Sequence, residues 1–168
     1  MDPGPKNEDT TRILVFCLLI CQLIESPADW LWWLVCSRPD WKISPPDPLS
    51  DAPPIDGVLQ FTTGPNESVA EKIQAKIPGA YVVKAFNSVG ASRMINPQYK
   101  QGIPTMFICG NNAEAKTKVS EIIEQFGWEP FDCGTIIAAR AIEPLCMLWC
   151  IPGFQRNQWT HAFKLLTE

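Results

Sequence analysis

The sequence has little histidine, no closely paired cysteines and no clustered basic charge. His161 is the only histidine in 168 residues, and none of the seven cysteines forms a C-x-x-C pair. The usual zinc sites need several Cys or His ligands at short spacing, so we expect no metal. The 14 Lys and Arg residues are scattered among 18 acidic ones, which gives a net charge of -4. No basic run is present that could neutralise phosphates, so we expect no nucleic-acid partner.

Sequence motifs that anchor phosphates or carry nucleophiles are also missing. The chain has 10 glycines, but none falls in a G-x-G-x-x-G pattern after a strand. There is no P-loop, no G-x-S-x-G and no H-E-x-x-H. The odd number of cysteines fits a reducing compartment better than a disulfide framework. Cys17/Cys21 and Cys146/Cys150 lie in apolar runs, where cysteine behaves as a small buried hydrophobe.

The N-terminal region differs in composition from the rest of the chain. Nine of the 16 prolines fall in the first 54 residues. Residues 13–24 form an apolar run that is shorter than the about 20 residues that cross a bilayer. The preceding leader lacks the positive charge of a signal peptide. We therefore predict a buried strand or helix, cytoplasmic localisation and no membrane partner, with secretion or tethering through residues 13–35 as the alternative.

After a proline- and aspartate-rich loop, the pattern changes to alternating helices and strands. Apolar residues at helical spacing, short apolar runs and capping residues predict these elements: helix 65–77, strand 80–86, strand 104–110, helix 111–126 capped by Asn111, strand 128–133, helix 135–150 kinked at Pro144, and helix 159–166. This order predicts an α/β domain with a parallel sheet. We assign residues 1–41 to an atypical N-terminal segment and residues 42–168 to the α/β domain.

Polar and small residues follow the predicted strand at 80–86. Asn87, Ser88 and Gly90 come directly after it, and ligands of open α/β sheets bind beyond the carboxyl ends of strands. Gly90 and Ala91 would let a flat ring approach the backbone. A simple strand-to-helix turn is the alternative, and the residues alone favour it.

Two charged residues and one aromatic residue in the apolar helix 135–150 have mainly structural interpretations. Arg140 and Glu143 are three residues apart on one helical face, and burying either of them unpaired would be costly. We predict that they pair with each other or face a cleft. Trp149 is predicted to be a core residue. His161 is predicted to be a packed or exposed histidine, with general acid–base chemistry as the alternative.

Several segments together resemble the NADP-dependent deazaflavin oxidoreductase family. Residues 81–91 resemble its "VVKAFNTVGA" strand and turn, and residues 104–116 resemble its "PTMFIAGDDAEAK" block. Residues 132–145 resemble "DAG…AARALEPL", and residues 43–49 are similar to "VIDATNPL", with Asp47 where asparagine is usual. The resemblance covers residues 42–168 in order and spacing. The cytosolic reductase domain of the STEAP metalloreductases is a more distant resemblance.

The resemblance implies a partial Rossmann-like, NAD(P)-binding sheet with flanking helices that lacks its first strands and its phosphate loop. It implies NADP(H) and a deazaflavin or flavin coenzyme as cofactors, with hydride passing between the two rings. No catalytic side chain is implied, because hydride transfer depends on ring placement. The residues that it implies for cofactor binding are Asp47, Asn87, Ser88, Val89, Gly90, Ala91 and His161.

The N-terminal 41 residues match no part of this family. The lost strands would leave an apolar sheet edge, which residues 13–24 are candidates to cover. Two interpretations stay open. The chain is an NADP(H)-linked oxidoreductase by family, in a truncated form whose activity is in question. Alternatively, it is a non-catalytic remnant or interaction module that a partner completes. Small-molecule coenzymes are the expected partners, and a homodimer is compatible with the sequence.

Overall fold

The computed structural model describes residues 54–60 and 63–168, together with the backbone of residues 12–17. A four-stranded sheet forms the centre of this part of the chain, with strand order β1-β2-β3-β4. The strands are β1 (Arg12–Cys17), β2 (Ala80–Ala85), β3 (Thr105–Gly110) and β4 (Glu129–Asp132). The α/β fold class predicted from the sequence is confirmed.

The sheet is mixed, whereas the sequence pattern predicted parallel strands throughout. β1 pairs with β2 in parallel, and β3 pairs with β4 in parallel. β2 and β3 are antiparallel. Parallel neighbours need a long crossover, usually a helix, but the connection from β2 to β3 contains only the short 3-10 turn Ala91–Arg93. The chain therefore enters β3 from the opposite end.

β1 comes from the N-terminal segment and lies beside β2 over six residue pairs, from Arg12–Ala80 to Cys17–Ala85. This position is the one expected if residues 13–24 cover the edge that the missing strands would leave. Four of the six β2 residues are contiguous and buried, from Val82 to Ala85. A strand that is buried on both faces is typical of sheets covered by helices on each side.

Two hydrophobic clusters lie on opposite faces of the sheet. One contains Val82 and Cys109 and packs against three helices: α1 (Val69–Lys76), α3 (Ala139–Ile142) and α4 (Leu145–Arg156). We call it the first cluster. The other contains Val83 and Ile108 and packs against α2 (Ala113–Gln125). Alternating strand residues thus supply the two faces, as the two-residue period of a strand requires.

Helix starts were predicted to within a few residues, and the capping residues explain the differences. α1 begins after Ser68, whose Oγ accepts a hydrogen bond from the Glu71 amide at 3.2 Å, so the helix starts four residues later than predicted from Pro65. α2 is capped by Asn112, whose Oδ1 accepts from the Ala115 amide at 2.8 Å. Asn111, the predicted cap, instead accepts from the Ile136 amide at 3.1 Å.

The predicted break at Pro144 is confirmed. A 3-10 turn, Ile136–Ala138, leads into α3, and α4 begins immediately after Pro144 and extends beyond the predicted end. Within the described ranges, Ile136–Arg156 is the one helical stretch long and apolar enough to cross a bilayer. Its residues Ala139, Ile142 and Cys146 belong to the first cluster, and the core helix of a water-soluble protein passes the same length test.

The predicted helix at 159–166 is wrong. Asn157, with a φ of 52°, ends α4 in a left-handed conformation, and no helix follows it in the described part of the chain. The segment is held beside the start of β3 instead. The Thr105 amide donates to the Phe163 carbonyl at 2.9 Å, and the Leu165 amide donates to Thr105 Oγ1 at 3.0 Å. These long-range bonds satisfy backbone groups that a terminal helix would have paired internally.

β4 is the last strand of the described sheet. Its Glu129 amide donates to the Pro104 carbonyl at 2.9 Å, and the Cys133 amide just beyond it donates to the Ile108 carbonyl at 2.8 Å. Alternate residues of a strand direct their amides to opposite sides. Pro130 therefore occupies a position directed away from β3.

Candidate functional site

The predicted ring-pocket residues at 87–91 follow Phe86, the first residue after β2, and the chain bends at Ser88. We call this segment the 87–91 turn. Asn87 and Val89 are buried. Ser88, Gly90 and Ala91 are half-buried, and Gly90 caps the 3-10 turn that starts at Ala91. All five residues therefore lie at the carboxyl end of β2, where the sequence placed them.

The Asn87 side chain forms hydrogen bonds that join this turn to the break between α3 and α4. Its Nδ2 donates to the Ile142 carbonyl and, at 3.3 Å, to the Glu143 carbonyl. Two carbonyl acceptors require the amide nitrogen on that side, which fixes the orientation of the side chain. Asn87 Oδ1 is buried and accepts no hydrogen bond from the described residues. The side chain therefore positions the turn and retains one unused acceptor.

Trp149 connects the 87–91 turn to the C-terminal segment. A Cβ added to Gly90 would lie 3.4 Å from Trp149 Cη2, so the indole packs directly on the glycine. The His161 ring stacks on the indole, with ring centroids 5.2 Å apart and an angle of 28°. Trp149 Nε1 also donates to the His161 carbonyl at 3.0 Å. The Trp149 side chain thus contacts both the 87–91 turn and His161, two predicted parts of the site that are distant in sequence.

Sequence reasoning placed Trp149 in the core and did not assign it to the site. The side chain is indeed buried at 3% exposure, in the first cluster. An aromatic residue in an apolar helix gives the same sequence pattern whether it packs only against the core or also supports a binding turn. Only the contacts with Gly90 and His161 reveal the second role.

His161 lies in the extended C-terminal segment, and its tautomer follows from its partner. Its Nε2 is 2.9 Å from the Trp149 carbonyl. A carbonyl only accepts, so Nε2 carries the hydrogen, and in the neutral ring Nδ1 is then the acceptor. Nδ1 is buried and has no hydrogen-bond partner in the described part of the chain. His161 and Asn87 therefore each present one unused acceptor.

Asp47, the remaining predicted cofactor-binding residue, lies outside the described residues. Its assignment stays a prediction.

The helical spacing suggested that Glu143 pairs with Arg140, but the structure shows no such pair. Its side chain is 1% exposed, and its carboxylate accepts hydrogen bonds from the Val69 amide at 2.9 Å and the Ala70 amide at 3.0 Å. These amides are at the N-terminus of α1, which would otherwise attract an anion. The carboxylate already fills this position, so the α1 N-terminus offers no phosphate anchor there.

Arg140 pairs with Glu71 of α1 through two hydrogen bonds, from Nε at 2.9 Å and from Nη2 at 2.7 Å. The bidentate bond from Arg140 lowers the pKa of Glu71 against the opposing effect of burial. Both charged residues of the predicted helix 135–150 thus bond to α1 rather than to each other. Instead of pairing with each other, Arg140 of α3 and Glu143 of the helix break each form hydrogen bonds to α1.

We expect Arg140→Gln to reduce the dependence of stability on pH in the acid range. The lowered pKa of Glu71 means that the folded state favours the carboxylate. This contribution is fully present above the ordinary value of 4.5 and is lost as the pH falls through the lowered pKa. Urea unfolding at neutral and acid pH measures it. The difference between wild type and variant should shrink on acidification. Lys76→Gln, which changes an exposed lysine of the same helix, serves as the control.

Lys84 and Cys109 are fully buried where β2 and β3 pair. Lys84 lies in β2, between β1 and β3, and this position in the sheet buries it. Burial raises the pKa of the Cys109 thiol to about 12, although the Lys84 charge opposes this shift. Cys109 is therefore protonated at neutral pH, and it is not an activated nucleophile.

Within the described ranges, no group of three or more His, Cys, Asp or Glu side chains is placed to hold a metal ion. The groups that the Trp149 site offers are a buried indole that packs on a glycine and two buried acceptors without a partner among the described residues. This combination suits the binding of a flat, polar-edged ring better than acid–base catalysis.

No protein-family model matches the chain. The chain is 37% identical over 91 residues to metalloreductase STEAP3 of Rattus norvegicus, a match that covers 51% of this chain and 18% of that protein. It is 36% identical over 80 residues to metalloreductase STEAP2 of Homo sapiens, covering 47% of this chain and 16% of that protein. The matched region thus spans less than a fifth of these curated relatives.

Among solved structures, the chain is similar to a protein from Arthrobacter sp. FB24 that is described provisionally as an F420-dependent NADP reductase. The TM-score is 0.64 at 30% sequence identity, and the match covers 71% of this chain and 54% of the other. The described α/β fold is therefore shared with about half of a Rossmann-like protein.

Proposed function

We propose that this chain is part of an NADP(H)-linked oxidoreductase and forms the ring-binding side of its site. Hydride would pass there between the nicotinamide and a deazaflavin or flavin coenzyme. The observation that carries the proposal is the meeting of the 87–91 turn and His161 on Trp149. The likeness to an NADP reductase and to metalloreductases supports the same class.

The residues present fit a planar ring with hydrogen-bond donors at its edge. Gly90 has no side chain, so a ring that enters beside it once the turn opens would approach the backbone closely. Asn87 Oδ1 and His161 Nδ1 are acceptors without a hydrogen-bond partner among the described residues, and a carboxamide or a ring N–H would complement them after a small opening of the turn. The coenzyme supplies the hydride chemistry, and the chain positions the ring and excludes water.

The N-terminus of α1 does not provide an anchor for the pyrophosphate of the coenzyme. Rossmann-like proteins bind this group at a helix N-terminus, but Glu143 occupies that end of α1. The second candidate function follows from this observation. The chain would be an interaction module whose nucleotide site is completed by a partner that carries the phosphate-binding half.

A titration with NADPH tests the proposal. We expect nicotinamide fluorescence to change on binding below about 1 mM, a concentration that detects even weak affinity. Gly90→Val adds methyl groups beside Trp149 and should weaken binding at least about tenfold, equal to about 1.4 kcal/mol.

Gly79→Val is the matched control, because a Cβ at Gly79 meets no atom within 4 Å. No response by the unmodified chain at about 1 mM NADPH would reject the enzyme proposal in favour of the interaction module. Equal loss in both glycine variants would reject the Gly90 site while leaving the class intact.

We further propose that the protein acts in the cytoplasm on small-molecule coenzymes. The alternative is membrane attachment through residues 13–35, most of which lie outside the described residues. Membrane fractionation of the full-length chain separates the two.

A further inference from the structure

Two cysteines lie side by side at the carboxyl ends of β3 and β4. The parallel register pairs Phe107 with Phe131, and the Cys133 amide donates to the Ile108 carbonyl at 2.8 Å. That bond continues the register beyond β4 and places Cys133 beside Cys109. The Phe107 and Phe131 rings touch edge to face, with centroids 6.0 Å apart, which shows that paired residues share one face here.

The two thiols also pack against the same hydrophobic core. Cys109 is a buried member of the first cluster, and Cys133 is half-buried against it. Neighbouring strands lie about 4.7–4.9 Å apart. A disulfide joins Cα atoms that are about 4.4–6.8 Å apart. Two cysteines on one face of adjacent strands therefore meet the Cα-separation requirement for a disulfide.

We propose that Cys109 and Cys133 form a redox-responsive pair, which closes to an intramolecular disulfide when a low-molecular-weight disulfide such as oxidised glutathione is present. The bond would join β3 and β4 covalently at the end of the sheet where the chain turns into the 3-10 segment Ile136–Ala138. This inference is independent of the proposed function, because it depends only on strand register and packing.

The difference in exposure of the two thiols sets the order of the reaction. Cys133 is the accessible one, so its thiolate attacks a sulfur of oxidised glutathione and releases one glutathione thiolate, which takes up a proton. Cys109 then loses its proton and attacks Cys133 Sγ, which releases the second glutathione. Two protein thiols are oxidised, and one glutathione disulfide is reduced to two thiols.

The acidity of the two groups agrees with this order and predicts a slow second step. Burial is the main reason why the pKa of Cys109 is about 12, and the neighbouring Cys133 raises it further. Burial and Asp132 also raise the pKa of Cys133. Both steps should therefore accelerate as the pH rises, because the thiolate is the attacking species.

Peptide mapping of the native full-length chain tests the pair. After incubation with oxidised glutathione and alkylation of the remaining thiols, we expect a linked peptide containing Cys109 and Cys133, lighter by about 2 Da than the two reduced peptides. Cys109→Ser should leave a stable glutathione adduct on Cys133. Cys133→Ser should leave Cys109 as a free thiol.

Cys150→Ser is the matched control, since Cys150 is buried in the same cluster but lies on α4. This variant should form the same linked peptide. The proposal is overturned if wild-type Cys133 keeps its glutathione while Cys109 stays reduced, if Cys109 links to another cysteine, or if neither thiol reacts.

Discussion

Glu143→Ala is expected to lower the free energy of unfolding by about 3–6 kcal/mol, the sum of two hydrogen bonds to a charged group at about 1.5–3 kcal/mol each. The Glu143 carboxylate receives the amides of Val69 and Ala70 at the buried start of α1. Alanine would leave both donors without an acceptor and remove the negative charge that offsets the helix dipole. Urea unfolding monitored by far-ultraviolet circular dichroism measures the loss.

Two further variants show whether the carboxylate itself is responsible. Glu143→Gln keeps the size of the side chain and one carbonyl acceptor, so its loss should fall between wild type and alanine. Glu124→Ala changes an exposed glutamate of α2 and should alter stability by less than about 0.5 kcal/mol. Equal effects of the Glu143 and Glu124 substitutions would show that α1 does not depend on this contact.

Trp149→Ala is expected to cost about 3–5 kcal/mol, which is the usual range for truncating a large buried aromatic side chain. The variant also removes the stacking surface of His161 and the Nε1 donor to the His161 carbonyl. We therefore expect the C-terminal segment to loosen. Faster hydrogen exchange of the Leu165 amide, which donates to Thr105 Oγ1, would report this directly.

Leu148→Ala provides the matched control, because Leu148 is the neighbouring residue on α4 and is 55% exposed. Its substitution should leave exchange at Leu165 unchanged. Trp149→Phe separates packing from hydrogen bonding, since it keeps an aromatic ring and loses the donor. If Trp149→Ala leaves exchange at Leu165 at the wild-type rate, Trp149 does not hold the C-terminal segment.

The parts of the fold that follow from local sequence were predictable. β2, β3 and α2 each combine an apolar pattern with a clear start or stop, and Gly127, with a φ of 86°, ends α2 as expected. The break at Pro144 follows from the missing amide of proline. In these elements, neighbouring residues determine the structure.

The errors occur where residues distant in sequence determine the structure. The C-terminal segment has helical spacing, yet Thr105 holds it in an extended conformation. Arg140 and Glu143 share a helical face, yet both bond to α1. No local pattern contains the position of α1, so neither outcome was available from the spacing alone.

The candidate site also combines features that local sequence predicts with features that only tertiary contacts determine. The 87–91 turn was predicted because it follows a recognisable strand. Its attachment to the helix break through Asn87, and to His161 through Trp149, depends on tertiary packing. Sequence therefore identified the segments of the site, Asn87 included, but neither Trp149 nor the contacts that join the segments.

Pro130 has a consequence for how this protein assembles. An exposed strand edge is a template on which another chain can add a strand, and sheets grow or aggregate in this way. Proline supplies no amide on the outward side of β4, and the charged residues Glu129 and Asp132 lie on the same short strand. Among the described residues, the β4 edge is therefore a poor template for an added strand, and the other edge of the sheet is β1.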